Sequence, residues 1–410
     1  MEGFVDRLAD VYTRTHLKNP YRTYRLLRRF APVWRLPPVA QLFFEQYEWV
    51  LTRYEDCALA LRDPRLRAHE PGEMCQRFGP ASAEPCVQDF AKIIALQNPP
   101  HHTRLRGLLL RAFTSRRMEE LRHLVQEKAD QLLDRVSAAG RMDAIADLAF
   151  PVATFAICRL IGIPEEDLPR FAGGTMNNLL LFEPAPLTRK KLAHANEAFE
   201  TSGGYFEALL ETRRQLPQDD LITQLVQAEG AGLVSRADLL ANIRFLFVAG
   251  HETVVGLIGN GLLALLGHRE QWQALRADPA LVAGAVEEML RYEPPVQAVQ
   301  RVVSEKVELN GTTLRPRETV AILIAAASRD PSVFERPDRF DILRGNVRSL
   351  CFGGGIHFCI GAQLARLEAT VVLETLLRRL PSLHVAQSYR PDWRPSVFLR
   401  GLGSLPLVWR

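Results

Sequence analysis

Residues 352–362 read Phe352-Gly353-Gly354-Gly355-Ile356-His357-Phe358-Cys359-Ile360-Gly361-Ala362 and run straight into the helical text Gln363-Leu364-Ala365-Arg366-Leu367-Glu368. Consecutive glycines permit backbone angles that side chains forbid and let the chain press against a flat ligand. A cysteine just ahead of a helix start lies where unpaired amides and the helix dipole favour a thiolate over a thiol. Phe352 and Phe358 offer apolar shielding on either side of it. A shielded thiolate that receives backbone amides is the setting an iron porphyrin needs in an axial ligand. Three glycines alone would read as a turn beside a buried cysteine. The spacing F-G-x-G-x-H-x-C-x-G gathers phenylalanine, glycines, histidine and cysteine in one window and points to Cys359 as a metal ligand.

Upstream, residues 237–268 form the longest helical pattern, apolar nearly all round and therefore buried. Arg244, His251 and Glu252 within it argue against a simple membrane span. At its centre stands Ala249-Gly250-His251-Glu252-Thr253. A glycine inside a helix costs about 1 kcal/mol against alanine, and a buried glutamate is costly unless partnered. Two local penalties in one pentad suggest function over packing. Glu288-Met289-Leu290-Arg291 is an E-x-x-R at helical spacing, which alone is a common surface salt bridge. Residues 98–106 read Asn98-Pro99-Pro100-His101-His102-Thr103-Arg104-Leu105-Arg106. The prolines suit a helix start, and His102 and Arg106, four apart, share one face. That pair suits carboxylate recognition, although spacing alone leaves an ordinary solvated surface equally open.

Together these stretches resemble the motifs of the cytochrome P450 family of haem-thiolate monooxygenases, from about Pro99 to the C-terminus. The resemblance implies a mainly α fold with small β-sheets, one domain over 1–410, and a long central helix lying over a haem. It implies haem b ligated by Cys359, bounded by Phe352, Gly353 and Gly361, with propionates held by His102, Arg106, Arg301 and His357. The pentad resembles the oxygen-activation motif A-G-x-[DE]-T, at which the helix bulges over the iron. By that resemblance Gly250, with Ala249, makes room for dioxygen, while Thr253 and Glu252 manage protons and water. Glu288 and Arg291, with Arg339 in Arg336-Pro337-Asp338-Arg339-Phe340-Asp341, match a structural ion-pair core. Asn98 stands where the family commonly has Asp, a change expected to alter only a helix cap.

The implied reaction inserts one oxygen atom from O2 into a small hydrophobic substrate. It implies a tailoring hydroxylase or epoxidase of secondary metabolism acting on a polyketide, terpenoid or peptide. The expected pocket combines Phe245, Val248, Ala249, Val296, Val299 and Phe398, the loop from Glu70 to Leu96, and a lid from Leu168 to Leu192. A peroxide-driven enzyme of fatty-acid-like substrates is the first alternative, and a non-catalytic haem sensor is another. The intact acid–threonine pair speaks against both. No G-x-G-x-x-G or P-loop text indicates a fused reductase, so electrons are expected from a separate ferredoxin or flavodoxin with its NAD(P)H reductase. Arg104, Arg111, Arg117 and Arg366 would form the basic face that receives it.

Composition agrees with a large globular core: of 410 residues, 47% are hydrophobic and 24% charged, and the net charge of +4 is too small to argue for nucleic acid. Six cysteines without paired or metal-finger spacing suit a reducing cytosol. The N-terminus shows no secretory pattern, and the apolar run near Leu148 to Ile163 is broken by Pro151 and Arg159. A cytoplasmic monomer without a membrane anchor is expected. Alternation predicts a strand over 43–52, and Asn310-Gly311 marks a hairpin between short strands. The region 70–96 lacks any period and reads as a long loop. A terminal hairpin over 397–402 is expected to place its tip in the substrate pocket.

Overall fold

The computed structural model of the chain describes residues 18–36, 47–167, 180–183, 188–345 and 347–409. Its earlier helices are α1 (Tyr21–Phe30), α2 (Tyr54–Ala60), α3 (Pro71–Phe78), α4 (Pro85–Phe90), α5 (His101–Leu109), α6 (Ser115–Ser137) and α7 (Phe150–Ile161). Strands β1 (Val33–Arg35), β2 (Trp49–Leu51), β3 (Leu66–Arg67) and β4 (Arg141–Asp143) lie among them. Later come α8 (Arg189–Gln215), α9 (Leu221–Gly230), α10 (Arg236–Gly267), α11 (Arg269–Ala277) and α12 (Val282–Tyr292). Strands β5 (Val299–Val303), β6 (Val307–Leu309), β7 (Thr312–Leu314) and β8 (Thr319–Ile322), helices α13 (Ile324–Ala327) and α14 (Ala362–Arg379), and strands β9 (His384–Val385) and β10 (Pro406–Val408) complete it.

The helix α10 is the axis of the main core. Ser235 caps its start by accepting a hydrogen bond from the Asp238 amide at 3.1 Å. Leu, Val, Ile and Phe side chains on nearly every side of it are buried, and α7, α12 and α14 pack along it. Helices α10 and the Ala144–Ile161 segment are long and apolar enough to cross a membrane, yet most of each is buried inside the protein.

A second, smaller core lies under a five-stranded sheet of order β1-β2-β8-β5-β3. Its β5 pairs antiparallel with β8, placing Arg301 opposite Val320. The β6–β7 hairpin turns through Asn310 and Gly311, both with positive φ (49° and 73°), as the Asn-Gly pair requires.

Several local expectations differ from the structure. Residues 71–90 form α3, a 3₁₀ turn over Gly79–Ala83, and α4. Pro71 and Pro85 each open a helix too short for its period to register in the sequence. The apolar run near Leu148 to Ile163 is preceded by β4, starts within a π-helical turn over Ala144–Ala149, and continues as α7. Of the strand expected over 43–52, Trp49–Leu51 is a strand, whereas 43–46 lie outside the described residues. The lid at 168–179 and 184–187 also lies outside them. The terminal hairpin has no regular strand; single bridges join Val296 to Leu399 and Trp393 to Leu402.

Candidate active site

The Cys359 loop leads into α14, with Gly361 at the helix cap. The Cys359 amide donates to the Phe352 carbonyl at 2.9 Å, closing the loop on itself. Gly353 and Gly355 have φ of +72° and +62°, which favours glycine at both. The glycines do not lie open for a flat ligand throughout. A Cβ on Gly355 would stand 2.5 Å from the Leu61 carbonyl oxygen, so this part of the loop is pressed onto the end of α2. Phe352 packs against the core beneath the Arg366 guanidinium, 4.4 Å from its ring. Phe358, expected to shield the sulfur, is exposed at the surface.

Cys359 itself is solvent-accessible, although its sulfur sits deep among protein atoms. Burial pushes its thiol up, against the pull of the Gly361 amide, Arg106 and Arg366. The helix start alone therefore does not outweigh desolvation, and the thiolate would be held by a metal cation. Cys351 is also pushed up, to about 12, chiefly by burial.

His102, Arg106, Arg301 and His357 converge from α5, β5 and the cysteine loop. The two imidazoles lie 4.5 Å apart between ring centroids. The Nε2 atoms of His102 and His357 are buried without a hydrogen-bond partner. Arg301 is buried, bonds among the described residues only its neighbour's carbonyl, that of Gln300 at 2.7 Å, and is pushed down to about 10 by desolvation. Arg106 donates to the Phe358 carbonyl at 2.8 Å, tying α5 to the cysteine loop. Among the described residues, none of the four has a carboxylate at ion-pair distance. Two buried and two half-buried donors with no anion fit a ligand that brings its own carboxylates, and the two propionates of a haem meet that need.

In the pentad, α10 runs unbroken as an α-helix, without the bulge expected there. The Thr253 hydroxyl donates to the Ala249 carbonyl at 2.8 Å, leaving its oxygen lone pairs as acceptors. Gly250 answers to packing: a Cβ there would lie 2.5 Å from both Cγ1 and Cδ1 of Ile157 on α7. Glu252 is buried and accepts from Arg394 Nη1 at 2.8 Å, with His251 Nε2 3.5 Å from its other oxygen. His251 donates from Nδ1 to the Phe247 carbonyl at 2.7 Å and lies against the Phe150 and Phe247 rings. Arg394, on the C-terminal loop, gave no signal in the sequence because nothing local links it to α10.

The ion-pair core is built on Glu288 and Arg291, both fully buried, with Nε–Oε2 and Nη2–Oε1 distances of 2.6 and 2.7 Å. Its third member is Arg344, whose Nε lies 3.2 Å from Glu288 Oε2. Arg339 is exposed and supplies its main-chain carbonyl to Arg291 and Arg344, each at 3.1 Å. The two arginines share one irregular segment, and only the path of the chain decides which guanidinium turns inward.

A cavity lies between α10, α4 and α8, lined by Phe245, Val248, Phe90, Ile93, Leu181 and Phe199 among others. Phe182 gathers its aromatic wall. It stacks on Phe398 at 4.9 Å and meets Phe90 and Phe245 at 4.7 and 6.1 Å. Ser396 and the Val397 amide bind the Glu183 carboxylate, fastening the 180–183 segment to the C-terminal loop. Phe245 and Val248 thus line the cavity as expected, and Phe398 reaches it through Phe182. Ala249, Val296 and Val299 do not line it; Val296 and Val299 pack against the smaller core.

The basic face is thinner than the four arginines suggested. Arg117 pairs with Asp219 at 2.6 Å and Arg366 with Glu287 at 2.5 Å. Arg104 and Arg111 are exposed. Asn98 binds the Ala68 amide and carbonyl at 3.0 and 3.1 Å, so its side chain fastens the end of β3 and does not cap α5.

The family model for cytochrome P450 matches residues 169–391. The chain is 38% identical over 397 residues to the biotin biosynthesis cytochrome P450 of Bacillus subtilis, covering 96% of this chain and 97% of that one. It is 40% identical over 406 residues to the cytochrome P450 monooxygenase PikC of Streptomyces venezuelae, covering 96% and 91%. Among solved structures, a myxobacterial cytochrome P450 in complex with myristic acid superposes with a TM-score of 0.89 at 40% identity, covering 98% of this chain and 99% of that one. A cysteine loop at a helix start, an acid–threonine pentad whose Glu252 is buried, and full-length similarity to monooxygenases place this chain in the cytochrome P450 family of haem-thiolate monooxygenases.

Proposed function

We propose that this chain oxygenates a hydrophobic substrate of secondary metabolism, with haem b held by Cys359 and with electrons from a separate ferredoxin or flavodoxin and its NAD(P)H reductase. The observation that carries the haem assignment is the group of donors without an anion beside the Cys359 loop among the described residues, His102 and Arg301 buried and Arg106 and His357 half-buried. Bound haem supplies the activation of dioxygen and the delivery of one oxygen atom to carbon. The chain's own residues do the rest. The apolar rings around Phe182 orient a carbon skeleton and exclude water. Glu252 is the buried proton-carrying group, and Arg394, whose side chain is 20% exposed, connects it toward solvent. Thr253 Oγ1 is placed to accept a hydrogen bond while its own proton is committed to Ala249. The intact pentad favours reductant-driven over peroxide-driven turnover. Full-length identity to bacterial relatives supports a cytoplasmic protein, and a monomer is the simplest reading.

The test is the carbon monoxide difference spectrum of the reduced protein. Cys351→Ser should keep the red-shifted thiolate band, because that buried thiol is not a ligand. Cys359→Ser should lose it. The band surviving in the Cys359 variant would refute the assignment.

A further inference from the structure

Among the described residues, a cation beside the candidate substrate cavity has no carboxylate at ion-pair distance. Arg77, at the end of α3, donates from Nη2 to the Leu181 carbonyl at 2.8 Å, and its guanidinium lies 5.9 Å from the Phe90 ring. Leu181 and Phe90 both line the cavity. The Nε and Nη1 atoms of Arg77 are sealed from solvent without a hydrogen-bond partner. Among the described residues no carboxylate reaches it; the titratable group that bears on it is the Tyr47 phenol. Desolvation pushes Arg77 down to about 10, so it is still a cation at neutral pH. Arg77 stands behind the wall, and the charges in the wall itself, Asp89 and Arg244, are paired with each other.

His69 is a second orphan in the same place. It is 5% exposed, and both ring nitrogens lack a hydrogen bond of normal geometry. The groups that face it are Arg77, Glu73, Arg67 and Gln300. Glu73 is already engaged by Arg67 at 2.6 Å. A neutral imidazole still offers one N–H. Sealed N–H groups of a cation cost stability unless something supplies acceptors. Where the adjoining cavity is walled by aromatic rings, that acceptor is an anion on an apolar body.

We propose that the substrate of this enzyme is a hydrophobic carboxylic acid, whose carboxylate binds Arg77 with His69 beside it while its chain lies in the Phe90–Phe182–Phe245 cavity. This rests on the cavity being the substrate site of the oxygenase described above. A guanidinium fork matches a carboxylate in two parallel hydrogen bonds, which gives recognition that an ester or alcohol cannot reproduce.

The experiment titrates the haem-loaded protein with tetradecanoate and with methyl tetradecanoate, following binding by calorimetry and by the haem absorbance shift. The parent should bind the acid about 10- to 100-fold more tightly than the ester. Arg77→Leu should abolish that preference while leaving the ester's Kd within about 2-fold, and Arg77→Lys should restore part of it. Arg77→Gln serves if the leucine variant does not fold. The proposal is overturned if neither ligand binds, if the parent prefers the ester or makes no distinction, or if the preference survives in Arg77→Leu and Arg77→Gln. The carbon monoxide spectrum reports the haem-thiolate reading separately. Acid preference without the thiolate band would sink that reading alone, and the band without acid preference would sink this one.

Discussion

Glu252 has an arginine at 2.8 Å and an imidazole 3.5 Å away inside a helix otherwise packed with apolar side chains. A buried carboxylate gains from a cation held against it, so Arg394 anchors Glu252 to the C-terminal loop. Arg394→Leu should lower stability by about 1–3 kcal/mol, read by denaturant titration, because it leaves an acid buried without its cation. Thr253→Ala removes a hydroxyl and leaves the cavity wall untouched. With a surrogate ferredoxin system, product per reductant oxidised should fall roughly 10-fold, with the balance appearing as hydrogen peroxide. An unchanged ratio would take Thr253 out of proton handling and return the peroxide-driven reading to consideration.

Helix α10 meets α7 so closely that the contact sets what residue 250 can be. A Cβ on Gly250 would overlap Ile157 at two carbons, so Gly250→Ala should destabilise by about 1–2 kcal/mol even after the gain in helix propensity. In a double-mutant cycle with Ile157→Ala the two losses should be less than additive; additive losses would show that the contact is not the cause. The segment after α13 makes a comparable test of the ion-pair core. Arg344→Leu removes a guanidinium from a fully buried carboxylate and should lower Tm by several degrees, an expectation of about 2–3 kcal/mol. Arg339→Leu, whose carbonyl and not its side chain serves the core, should leave Tm nearly unchanged. Equal losses would restore Arg339 to the core.

At the scale of the molecule, buried titratable groups tie stability to pH. Desolvation holds His69 near 4, well below its ordinary 6.5, so the folded protein binds its proton less readily than the unfolded chain. Its contribution is therefore complete above about pH 6.5 and is lost as pH falls toward 4, because the unfolded state gains the proton first. Between those limits His69 should cost on the order of 2 kcal/mol by pH 5. Chemical denaturation of the parent and His69→Gln at pH 7 and pH 5 measures it. The variant should lose clearly less stability over that interval, and an identical loss would assign the acid sensitivity elsewhere.

What the sequence determined by itself was the set of contiguous stretches from which the candidate site is built. The cysteine loop, the pentad, the E-x-x-R pair and the buried character of α10 were legible because each is local, with spacing that a helix or tight turn converts directly into geometry. His102, Arg106, Arg301 and His357 were also legible, though only through resemblance, since three separate elements supply them. Tertiary structure alone decided the rest. It set Arg344 in place of Arg339 beside Glu288, brought Arg394 to Glu252 across 142 positions, and assembled Phe182 with Phe90, Phe245 and Phe398. It also set Gly250 against Ile157, a contact that no local pattern foretells. The physical reason is common to these cases. Burial, and the partner a buried charge or ring finds, depend on which surfaces the folded chain brings together, and no local period or spacing encodes that.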